Sequence, residues 1–128
     1  MNRLFISLFL LASTTLLAAP SKYICSNVGG TEVWTIYVDL NKKLAGFFDN
    51  DNTSTVPLKD IKIFDSRPPQ TVYIFEGKDI GGDTNNDTLR ISFNVTKMAG
   101  HVTFNPGKWD ERTLKALDGC RADKNIDL

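Results

Sequence analysis

Between positions 31 and 40 the side chains alternate. Trp34, Ile36, Val38 and Leu40 fall on one side of an extended chain, and Val33, Thr35, Tyr37 and Asp39 on the other. Successive side chains of a strand leave on opposite faces, so this period of two marks a half-buried strand. The beat returns over residues 88–96, where Leu89, Ile91, Phe93 and Val95 point one way and Arg90, Ser92 and Asn94 the other. Shorter runs of the same kind cover residues 22–27, 44–48, 56–58, 60–64, 71–76 and 101–104. Between them stand turn formers: Gly29-Gly30, Asn41-Lys42-Lys43, the polar stretch 49–54, Pro68-Pro69, the Gly-, Asn- and Asp-rich stretch 77–87, Met98-Ala99-Gly100 and Asn105-Pro106-Gly107. The two prolines remove two backbone donors, so residues 65–70 cannot be a central strand. About seven short strands at this spacing predict a mainly β chain, a small antiparallel β-barrel or sandwich. No long helical segments alternate with the strands, which excludes a parallel α/β sheet.

The last segment reads two ways. Asp110 is placed to cap a short helix over residues 109–117, with Gly119 to end it, and Glu111, Leu114, Lys115, Ala116 and Leu117 favour helices. A final strand that carries Cys120 back to the first one uses the same residues. Beyond Arg121 the sequence reads as a frayed tail.

The first nineteen residues have a different character. Arg3 precedes about fourteen mostly apolar residues, and Ala18-Ala19-Pro20 follows. This is the layout of a secretory signal peptide, and the apolar run falls short of the ~20 residues that span a bilayer. The expected organisation is a leader over residues 1–19 and one exported domain over 20–128, periplasmic or secreted, with no transmembrane segment after cleavage. Loss of Arg3 leaves 14 basic against 15 acidic residues. A nearly neutral chain has no electrostatic pull towards nucleic acid.

Export places Cys25 and Cys120 in an oxidising compartment, where an even pair is expected to bridge. The alternatives are weak. There is no C-x-x-C motif, and two distant cysteines with one histidine do not make a four-ligand zinc site.

Reactive constellations are scarce. His101 is the single histidine and has no G-x-S-x-G nucleophile elbow to serve. Asp110 and Glu111 are adjacent, so they do not face each other across a cleft as paired glycosidase acids must. No catalytic residue and no cofactor are expected. Asp49, Asp51 and Thr53 place oxygens at alternate positions, as a hard cation such as calcium requires, with Thr55 seventh and Asp60 twelfth in the count. Ser54 stands where an EF-hand loop has its glycine, and Asp60 where it has a bidentate Glu. Asp83, Asn85 and Asp87 repeat the spacing. Asp- and Asn-rich turns between strands supply the simpler reading. Sequons begin at Asn52, Asn86 and Asn94, with meaning only in a host that glycosylates exported proteins. Tyr37, Phe64 and Tyr73 are candidate binding residues, since aromatics on strands with two apolar faces serve partner or ligand contact when they are not in the core.

Tyr23-x-Cys25 just after a leader, a run of short strands and a closing Cys120 together resemble the small exported β-barrels of the bacterial C-type lysozyme inhibitor kind. The resemblance implies the compartment and the fold. That family acts through a Ser-Gly-x-x-Tyr stretch, whereas Ser66-Arg67-Pro68-Pro69 here lacks the Gly and the Tyr, so no inhibitory residue carries over. The expectation is a non-enzymatic exported β-domain that binds a protein or small ligand. The competing expectations are an inhibitor of a cell-wall-degrading enzyme, acting through a loop such as residues 65–70, and a hydrolase built on His101.

Overall fold

The computed structural model describes residues 19–50, 52–78, 87–114 and 116–128. The leader reading over residues 1–19 falls almost wholly outside them, as do Asp51, the repeated spacing at Asp83 and Asn85, and the sequon at Asn86. Nine antiparallel strands follow in chain order: β1 (Lys22–Gly29), β2 (Glu32–Asp39), β3 (Leu44–Asp49), β4 (Asn52–Phe64), β5 (Gln70–Lys78), β6 (Thr88–Asn94), β7 (Ala99–Phe104), β8 (Arg112–Thr113) and β9 (Arg121–Ala122). Each of β1 to β8 pairs with its sequence neighbour, and β9 returns to β1. The sheet curls into a half-barrel. Among the described residues no helix is long and apolar enough to cross a membrane.

The curl follows from the alternation. Ile36 and Val38 on β2, and Leu89, Ile91 and Phe93 on β6, are fully buried, as their period requires. Side chains from opposite walls meet inside. Tyr23 on β1 lies 4.9 Å from Phe93 on β6, and Phe47 on β3 meets Phe104 on β7 edge-on at 5.8 Å. Gly100 on β7 faces the Ile36 side chain of β2 closely enough that a Cβ would collide with it. The inside is therefore packed core. Burying Phe75 and Phe93 contributes roughly 2–3 kcal/mol each.

Tight turns rest on residues that accept a left-handed backbone or cap it. Asn50 takes φ 50° between β3 and β4, and Gly30 takes φ 64° between β1 and β2. Asp39 Oδ1 accepts the amides of Asn41 and Lys42 after β2. Asn94 Oδ1 accepts the amide of Lys97 after β6 in the same way.

Two expectations about strands are corrected. The runs 56–58 and 60–64 are one strand of thirteen residues with a bulge between Leu58 and Asp60. Its first part pairs with β3, from Asn52 to Pro57, and its second part with β5, from Leu58 to Phe64. The stretch 49–54 is a hairpin, with Asp49 opposite Asn52 and Phe48 opposite Thr53. Among the described residues the strands thus number nine rather than about seven.

The C-terminal helix does not form. Asp110 takes the Asn105 side-chain amide at 3.0 Å instead of capping a helix, and Asn105 itself is bonded to Thr88 through side chain and backbone. The amides of Leu114, Leu117 and Cys120 donate to the carbonyls of Val102, Gly100 and Met98 in turn. These bonds step three residues along this segment for every two along β7 and the turn before it. Gly119, at φ 70°, turns the chain to deliver Cys120 to Cys25, and the two are disulfide-bonded. The segment thus spans the opening between β7 and β1. The tail beyond Arg121 is docked, not frayed. Ile126 is buried, the Asp123 amide donates to the Lys22 carbonyl, and Lys22 Nζ donates to the Ile126 carbonyl at 2.8 Å.

Candidate functional site: the β4–β5 ribbon

Beyond Leu58, β4 leaves its neighbour β3. The Leu58 amide donates to the Lys43 carbonyl at 2.8 Å, and the following residues, 59–64, pair only with β5. Their other edge has no strand against it among the described residues. The ribbon ends in the turn 65–69, closed by the Ser66 amide on the Phe64 carbonyl and the Ser66 hydroxyl on the Pro68 carbonyl.

Both faces of this ribbon carry apolar side chains. Ile61 and Ile63 point to the side of Tyr73, their register partners being Tyr73 and Thr71. They are 56% and 73% exposed, although strand alternation predicts burial for that face. The reason is length. β4 has thirteen residues and β3 only six, so the core beneath β4 ends before Ile61 does. Phe64 points to the opposite face, is half exposed, and borders a shallow groove of about 310 Å³ with Gln70, Asn94, Lys97, Ala99 and His101. Asn94 Nδ2 donates to Gln70 Oε1 at 3.1 Å, which fixes both amides at the groove wall. The Asn94 sequon is thereby committed to the fold on two sides.

Of the aromatics singled out in the sequence, Phe64 and Tyr73 lie on this ribbon, on opposite faces. Tyr73 is half-buried and packs against the core. Tyr37 lies on the other half of the sheet, where its ring meets Phe48 at 4.6 Å, nearly perpendicular. Gly46 stands opposite Tyr37 in the register, and the Leu128 side chain comes close to it. The structure therefore does not join Tyr37 to the other two. Ile61 and Ile63 escaped the sequence reading because alternation alone does not reveal where a neighbouring strand stops.

Above the ribbon's base runs a charged ladder. Lys59 Nζ donates to Glu76 Oε1 at 3.0 Å, and Arg90 Nε donates to Glu76 Oε2 at 2.7 Å, linking β4, β5 and β6. Burial alone would raise the Glu76 pKa, but the bonds and charges of Lys59 and Arg90 prevail and hold it below the usual carboxylate value. His101 stands opposite Ser92. Partial desolvation of its ring, followed by the charge of Arg90, lowers its pKa.

The cation spacing is spread along two strands. Asp49 ends β3, Thr53 lies on β4, and Asp60 stands eight residues beyond Asn52, roughly 25 Å along an extended chain. The twelve-residue count therefore does not wrap around one point. Among the described residues no three His, Cys, Asp or Glu side chains gather closely enough to hold a metal ion.

No family model, curated protein or solved structure matches this chain.

Proposed function

We propose that this chain is a non-enzymatic binding domain of an exported, oxidising compartment, and that it engages a partner protein through the β4–β5 ribbon. The observation that carries this reading is the exposure of Ile61, Ile63 and Phe64 on one strand whose outer edge is unpaired among the described residues. Apolar exposure of this kind, rimmed by Lys59, Asp60 and Lys62, is the composition of a docking surface. The disulfide is compatible with the oxidising compartment. The packed interior supports a surface site over an enclosed one.

The test is a photo-cross-linking residue at Ile63, introduced in the native host. A discrete adduct is expected, with none from the same residue at Thr55, which is exposed on the other half of the sheet. Equal labelling at both positions, or none at Ile63, contradicts the reading.

Inhibition of a cell-wall-degrading enzyme is the second reading. What favours it is the turn 65–69, exposed at the tip of the ribbon where it is free to enter a cleft. Lysozyme activity unchanged by micromolar purified protein rules it out.

A further inference from the structure

We infer that the occupant of the open β4 edge is a second copy of this chain, with residues 60–64 of the two copies pairing antiparallel about a two-fold axis at Lys62. The inference rests on the ribbon being a docking surface and names what docks there.

The register follows from what already blocks the edge. Lys43 occupies the position beside Leu58, so an added strand cannot extend past Lys59. At the other end the chain turns away after Phe64. Lys59 is the bulged residue, skipped between Leu58 and Asp60 in the pairing with β5, so the regular free stretch is 60–64 and its midpoint is Lys62. Antiparallel strands also match face to face, so only residues on the same side of the sheet can stand opposite each other.

Centred on Lys62, the stretch is complementary to itself. Ile61 of each copy meets Ile63 of the other, so four isoleucines now exposed cover one another on the inner side. Asp60 of each copy lies diagonal to Lys62 of the other on the opposite face, and these charges are opposite. Asp60 stands opposite Phe64. An isologous interface requires this property, that one patch satisfies a copy of itself under rotation. The one unfavourable pair is Lys62 with Lys62, at the axis. It keeps the association weak and marks the register. Among the described residues each copy has one open edge that carries exposed isoleucines, so growth stops at two chains. The alternative role for Lys59, Asp60 and Lys62 is to guard a solitary edge against pairing.

Sedimentation equilibrium of the disulfide-bonded protein distinguishes these. From about 1 µM to about 500 µM, a range suited to a small interface, the mass should rise from one chain to two and no further. Ile61→Thr combined with Ile63→Thr should hold the protein at one chain with its melting unchanged, since both side chains are exposed. Lys62→Glu alone places like charges at the axis again. Mixed with the wild type it should give mixed dimers in native mass spectrometry, about threefold or more above the statistical share. A wild-type mass of one chain throughout, a mass beyond two, or a purely statistical mixture overturns the inference. If the protein stays single while Ile63 still cross-links to a different protein, self-pairing is overturned and the docking reading stands. If neither occurs, both fall.

Discussion

Glu76 shows how one side chain ties the ribbon's base to the sheet. Its carboxylate is mostly buried, 16% exposed, and is held by Lys59 and Arg90 from the strands on either side. Its lowered pKa means that the folded state prefers the ionised form. The stability this contributes is complete above the unfolded value near 4.5 and is lost as pH falls through the lower folded value. Glu76→Gln should cost about 1–2 kcal/mol at pH 7, discounted for the partial exposure of both cations. It should also flatten the decline in melting temperature below pH 4.5. A wild-type acid limb unchanged by the substitution would remove the ladder from the account.

At the level of elements, the strands that alternate cleanly were legible in the sequence. Ile36 and Val38, and Leu89, Ile91 and Phe93, are inside as their period requires. The C-terminal segment was not, for a specific reason. Leu114, Leu117 and Cys120 recur every third residue, which is close to a helical repeat, and Glu111, Lys115 and Ala116 favour helix. The same three-residue spacing arises here because the backbone bonds to Val102, Gly100 and Met98 step three residues along this segment for two along the other. Tertiary hydrogen bonds prevail over local propensity. The binding aromatics were only partly legible: Phe64 and Tyr73 share the ribbon, whereas Tyr37 is on the other half of the sheet. The exposure of Ile61 and Ile63 depends on the unequal lengths of β3 and β4, which no window of sequence around β4 contains. Because Leu117 is fully buried between β7 and β1, Leu117→Ala should destabilise by about 2–4 kcal/mol in urea unfolding. A cost near zero would mean that this segment does not close the sheet.

For the whole molecule, the Cys25–Cys120 bond joins residues 95 apart, so it fastens the first strand to the segment that closes the sheet. Chain entropy assigns a loop of that length about 4–5 kcal/mol, a large share of the net stability of so small a domain. Reduction should therefore lower the urea midpoint sharply, and a non-reducing spectrum should show two fewer hydrogens in mass (about 2 Da). An unchanged midpoint would show that hydrogen bonds to β7 and β1 suffice alone. The half-barrel thus has one edge region closed by the C-terminal segment and another, on the second part of β4, left open. That asymmetry is the central claim, and amide hydrogen exchange in dilute solution tests it most directly. The amides of Gly100, Leu114, Leu117 and Cys120 should be strongly protected, while the amides of residues 59–64 that face away from β5 exchange quickly. Protection throughout residues 59–64, or rapid exchange at Leu114, Leu117 and Cys120, would contradict it.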